Sequence, residues 1–117
     1  MNPRRVHELM TQRFPAFLPA EHEWKNVVTT ALPGESLMEK LLREHISEPE
    51  AIVEVTRKIG ALLPLSEAAV FALSHIGESQ IRIANRDFNA FVVVAQNGVA
   101  TGWRLPPGSG AATRAAP

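Results

Sequence analysis

The stretch SQIRIANRDFNAFVVVAQNGVATGWRL, Ser79 to Leu105, is where helical spacing gives way to strand spacing, and its reading decides the fold. Ile81 and Ile83 alternate with Gln80 and Arg82, the period of a half-buried strand. Asn85-Arg86-Asp87 has the residue types of a connecting turn. Phe91 to Ala95 is a dense β-branched run, and Asn97-Gly98 offers the positive φ values of a two-residue type I′ hairpin. Such a turn sets Ala95 opposite Ala100, Val94 opposite Thr101, Val93 opposite Gly102, Val92 opposite Trp103 and Phe91 opposite Arg104. One face then carries Val92, Val94, Val99, Thr101, Trp103 and Leu105 and is expected to pack on helices. The other carries Phe91, Val93, Ala95, Ala100, Gly102 and Arg104, too apolar for an ordinary solvated surface.

Upstream, the spacing predicts helices. Asn2 is a side-chain acceptor before Pro3, whose missing N–H is no loss in a first turn, and Val6, Leu9, Met10 and Phe14 follow at helical intervals. Pro15 ends that run, and the apolar linker Ala16-Phe17-Leu18-Pro19 is expected to lie on the core. A second helix is expected from about Ala20 to Ala31, closed by Pro33-Gly34. Two capping-box spacings, Ser36 with Glu39 and Ser47 with Glu50, predict two more starts. The first leads Leu37, Met38, Leu41, Leu42 and Ile46; the second leads Ile52, Val55, Ile59 and Leu62. Ser66 predicts a fifth helix, apolar nearly all round and so central, stopped at Gly77. The expected architecture is α+β: about five helices followed by a three-stranded antiparallel meander in order 1-2-3. Residues 1–106 form one domain in this reading. The Pro-, Gly- and Ala-rich segment 107–117 has nothing to bury and is expected to be a disordered tail.

Composition narrows the function. The 117 residues are 45% hydrophobic and 21% charged, enough to bury roughly two-thirds of the unfolded surface. Twelve basic and twelve acidic side chains cancel, so no overall field concentrates the chain on a polyanion or an acidic membrane. The absence of cysteine removes disulfides, thiolate nucleophiles and cysteine-ligated zinc. No apolar run approaches the roughly 20 residues of a spanning helix, and Met1 to Phe14 holds no continuous apolar stretch of signal type. A cytoplasmic location without membrane contact is the expectation.

Candidate chemistry is sparse. His45 with Glu48, and His75 with Glu78, share an H-x-x-E spacing that would suit two metal ligands on one helical turn. Ser47 and Gly77 interrupt those turns, and a histidine in a final helical turn is also favoured by the helix dipole. There is no G-x-S-x-G and no glycine-rich phosphate loop, and no motif implies a cofactor. A helix followed by a hairpin has the order of a winged helix-turn-helix, with Arg4, Arg5 and Arg13 able to touch phosphates. The helix after Ser66 nevertheless offers Ala, Val, Phe and Leu where a groove reader needs polar side chains.

Protein binding is therefore the leading reading: a small non-catalytic regulatory or binding protein acting through its sheet. Arg82, Arg86, Phe91, Val93 and Arg104 are the candidate contacts, because aromatic and arginine side chains anchor interfaces. The partner is another protein, or a second copy joined through the sheet face or its edge. Nucleic-acid binding through the basic N-terminal helix and sheet arginines is the alternative, and an enzyme or metal protein using His75 and Glu78 the third. Helices covering the second sheet face would close the first of these surfaces.

Overall fold

Asn2 starts the first helix as its side chain predicts: Oδ1 accepts the Arg5 backbone N–H at 2.8 Å. Helix α1 spans Pro3–Arg13 and buries Val6 and Met10. The computed structural model describes residues 1–15, 23–27 and 34–105. The remaining elements are β1 (Lys25–Asn26), α2 (Gly34–His45), β2 (Glu50–Thr56), β3 (Ile59–Pro64), α3 (Leu65–Ser74), β4 (Ile81–Ala84), β5 (Ala90–Val94) and β6 (Val99–Arg104). Among the described residues there are thus three helices and six strands, in one antiparallel sheet of order β1-β6-β5-β4-β2-β3. The class is α+β, but five helices and a three-stranded meander are not what forms.

The largest correction is at Glu50–Pro64. Ile52, Val55, Ile59 and Leu62 have helical spacing, yet the segment is the hairpin β2–β3 turning at Arg57-Lys58. Four of the seven residues of β2 are β-branched (Ile52, Val53, Val55, Thr56), a composition that packs on a pleated surface better than on a helix. Both faces of β2 are covered, so its apolar residues run continuously and the period of two is hidden. Ser47-Glu50 is no capping box, because Glu50 is already in the strand opposite Pro64. The base of the hairpin is closed instead by the Leu65 N–H donating to the Pro49 carbonyl at 3.0 Å. Within the expected helix Ala20–Ala31, Lys25 and Asn26 form a strand beside β6; residues 20–22 and 28–31 lie outside the described residues, as do the linker 16–19 and the tail 107–117. Helix α2 begins at Gly34 rather than at a Ser36 cap. Helix α3 starts at Leu65 behind Pro64 with no side-chain cap.

The β5–β6 turn is also corrected. Gly98 has φ +90° and Asn97 is not left-handed. The Gly98 N–H donates to the Ala95 carbonyl (3.0 Å), and the Ala95 N–H to that of Val99 (2.8 Å). This is a three-residue loop with glycine in the left-handed position, not type I′. The register becomes Val94 with Ala100, Val93 with Thr101, Val92 with Gly102 and Phe91 with Trp103. A slip of one residue turns every β6 side chain over. Trp103 and Thr101 therefore share a face with Phe91, while Ala100 and Gly102 join Val92 and Val94.

Two cores result. Against α2 and α3 pack Ala51, Val53, Val55, Ile81, Ile83, Ala90, Val92, Val94 and Ala100. Against α1 pack Ile52, Ala84, Phe88 and Phe91, with Leu62, Trp103 and Leu105 at the margin. Gly60 lets α1 approach: a Cβ there would lie 2.8 Å from Val6 Cγ1.

Candidate interaction surface

Because β2 pairs with β4 on one side and β3 on the other, β3 becomes the outermost strand, and its outer edge has no strand partner among the described residues. Ile59 to Leu63 (Ile-Gly-Ala-Leu-Leu) contains no charge, and all but Gly60 are partly exposed. An uncharged strand of this length with open backbone donors and acceptors is a template for a further strand. Pro64, which lacks an N–H, terminates it.

Helix α3 widens this surface. Its apolar sequence predicts a buried central helix, but only Leu65, Ala68, Ala69 and Ala72 are buried. Val70 is 48% exposed, the largest exposure of any bulky apolar side chain after Met1 among the described residues. Ser66, Glu67, Val70, Phe71 and Ser74 recur along one side of the helix and, with Leu63 of β3, line an open groove of about 470 Å³. Among the described residues, the charges beside the strand that are not already paired within the fold stand at its ends, Glu54 opposite Gly60 being held by Arg82. Arg57 and Lys58 precede it; Glu67 follows it, and Glu50 lies opposite Pro64. None of these four joins an ion pair among the described residues.

The residues singled out from sequence are not brought together. Phe91 is fully buried, enclosed by Phe14, Trp103 and Phe88 at ring-centroid distances of 5.1, 5.4 and 6.5 Å. Val93 is fully buried in the same strand. Contact through Phe91 would require α1, whose Val6 and Met10 share its cluster, to leave the sheet. Arg82 donates from Nε to Glu54 Oε1 at 2.9 Å and from Nη2 to the same oxygen, and lies over the Phe14 ring. Arg86 is exposed in the β4–β5 turn, and Arg104 is exposed at the end of β6. Arg13 donates to the Asp87 carbonyl at 3.0 Å and covers the Phe88 ring, while Arg4 and Arg5 are exposed on α1.

Two polar clusters are not legible in the sequence. Glu54, 4% exposed, is held by Arg82 and by His7 Nδ1 at 2.6 Å, tying α1, β2 and β4. Asn85, fully buried, accepts the Asn89 and Ala90 N–H groups and donates to Glu48, in the same turn in which Phe88 has φ +55° and donates its N–H to the Asn85 carbonyl at 3.1 Å. His75 and Glu78 do meet, Nδ1 to Oε2 at 2.9 Å, across the turn that follows α3. Among the described residues no third ligand joins them, since no group of three or more His, Asp or Glu could hold a metal ion.

His45, at the end of α2, lies on Gly102, where a Cβ would stand 2.4 Å from the ring. Burial holds its pKa below the ordinary 6.5, Lys25 and Arg104 reinforce that shift, and Glu44 opposes it. No helix among the described residues is long and apolar enough to cross a membrane. Compared with known proteins, the chain matches no family model, no curated protein and no solved structure.

Proposed function

We propose that this is a small non-catalytic protein-binding or regulatory protein of the cytoplasm, which takes a partner strand along the β3 edge and seats the partner's apolar side chains against α3. The observation that carries the reading is the juxtaposition of an uncharged edge strand with the exposed Val70 side of α3. Backbone pairing supplies affinity in such a mode, and neighbouring apolar pockets supply selectivity. Membrane and nucleic acid are not its partners in this reading: charge is balanced overall, and Arg82 and Arg13 are already engaged within the fold.

Photo-crosslinking in the source cell tests this. A crosslinking residue at Ser66 or Val70 is expected to give protein adducts of defined mass, whereas one at Lys25, on the opposite edge, is expected to give none. No adducts from α3, or the same adducts from both edges, would overturn the assignment.

A further inference from the structure

The charge order along the β3 edge selects one partner. Read in chain direction it is basic (Arg57, Lys58), uncharged (Ile59 to Leu63), then acidic (Glu67, with Glu50 beside Pro64), Glu54 opposite Gly60 being buried and paired with Arg82. Reversed, that order is its own complement. We infer that the occupant of the edge is a second copy of this chain, with the two β3 strands joined antiparallel about a two-fold axis near Ala61. This rests on the edge-binding reading proposed above and names its partner.

The geometry follows from the register. An axis at Ala61 sets Ile59 of one copy against Leu63 of the other and Gly60 against Leu62. Arg57 and Lys58 then fall beside the second copy's Pro64 to Glu67, and the same contact recurs at the other end, as an isologous interface requires. Each β3 gains the strand partner it lacks, and the two six-stranded sheets become one continuous sheet. Helix α3 packs on β2 and β3 and is the helix nearest this edge on its face. The two copies of Val70 and Phe71 are thereby drawn toward the axis. A stable interface buries at least about 1,000 Å² in total, so the α3 flanks must close along with the strands. An unrelated peptide needs none of this ordered charge, and a polyanion is opposed by the acidic end.

The purified full chain, 12.8 kDa, is measured by sedimentation equilibrium at about 100 μM, which populates even a micromolar dimer. The expected mass is twice that of the chain. The Arg57→Glu/Lys58→Glu variant places acid against acid at both ends, and Glu50→Lys/Glu67→Lys places base against base. Each is expected to weaken the dimer by at least about a hundredfold while circular dichroism stays that of the native chain. Mixed in equal amounts, the two variants are expected to recover the dimer mass, since every end contact is then attractive. A wild-type monomer at this concentration overturns the second-copy pairing, as do variants that associate as well as wild type or a mixture that stays monomeric. A monomer whose Ser66 or Val70 crosslinks still capture a different protein leaves the edge-binding reading standing; a monomer with no adducts ends both.

Discussion

The sheet has two edges, and they are built to opposite rules. β1 closes one side with two exposed residues, Lys25 and Asn26, secured by the Val27 N–H on the Gly98 carbonyl (3.1 Å) and by Thr101 Oγ1 donating to the Glu23 carbonyl (2.8 Å). β3 leaves the other side with six residues and no charge. A strand of two residues carrying a lysine is too short and too polar to template another chain, whereas β3 has the length and the apolar surface to do so. Charge is distributed accordingly. Lys25, Glu44, His45 and Arg104 gather at the β1 end, while at β3 Arg57, Lys58, Glu50 and Glu67 stand at the strand's two ends and Glu54, opposite Gly60, is engaged by Arg82. With one edge blunted and one open, pairing through β3 would stop at a closed pair. Two open edges would propagate into a filament.

The largest effects that separate the two ends come from their glycines. Gly102 lies in β6, next to the blunt edge, and three ring atoms of His45 stand 2.4 to 2.9 Å from where a Cβ would be. Gly60 lies in the open edge strand itself, where a Cβ would meet Val6 Cγ1 at 2.8 Å and the Val53 carbonyl at 3.0 Å. Overpacking of this kind costs about 1–3 kcal/mol, and Gly102→Ala is expected at the top of that range because a planar ring must be displaced. Gly60→Ala is expected to cost less and to act by lifting α1. Urea unfolding gives both costs, and amide exchange locates them: faster exchange in α1 for Gly60→Ala, at the end of α2 for Gly102→Ala. Unchanged stability in both would mean that neither close approach exists in solution.

How far this architecture could be read from sequence depended on which signals were local. The order of β4, β5 and β6 is local, and Ile81/Ile83, the Phe91 to Ala95 run and Asn97-Gly98 disclose it. The register is not, because it turns on whether Asn97 joins Gly98 at positive φ; it does not, and the resulting one-residue slip exchanges Trp103 with Gly102 between faces. β2 and β3 escaped because helices on both sides of the sheet remove the alternation that marks a strand. Glu54 reads as an ordinary surface acid until Arg82, 28 residues away, is brought beside it. The open edge was the least legible feature: its uncharged run between Arg57-Lys58 and Pro64 is visible, but that β3 is outermost depends on β2 pairing with β4. The same packing of α1 that completes the fold buries Phe91, and Val93 beside it in β5 is buried too, although their apolar character in the sequence points to an exposed second face.

The polar end also differs from the apolar end in its response to pH. His45 has its pKa held below 6.5 by burial, so the folded state favours the neutral ring and the unfolded chain takes up the proton first as pH falls. The contribution is complete above about pH 6.5, declines as pH falls through that value toward the lowered folded pKa, and levels off below it. The difference in unfolding free energy between wild type and His45→Gln should therefore change across this window and be flat above it. Amide exchange should accelerate at β6 and the end of α2 in that range, and not in β3. A pH profile unaltered by His45→Gln would remove the histidine from the account of the blunt edge.

The smallest change in stability, and the most direct attack on the contrast between edges, comes from exchanging their charge. Ala61→Lys sets a lysine in the middle of the open strand, where its stem can run along the apolar flank while the ammonium reaches water. Lys25→Val removes the charge from β1. Both positions are at least partly exposed, so each substitution should alter stability by no more than about 0.5 kcal/mol. Their effects on association should be unequal. Ala61→Lys is expected to leave the chain monomeric, since the two-fold axis near Ala61 would bring two like charges together. Lys25→Val is expected to change nothing, because two residues cannot template a strand whatever they carry. Should Lys25→Val alone produce larger assemblies, charge rather than length is what blunts β1. If Ala61→Lys associates like wild type, the open edge lies elsewhere.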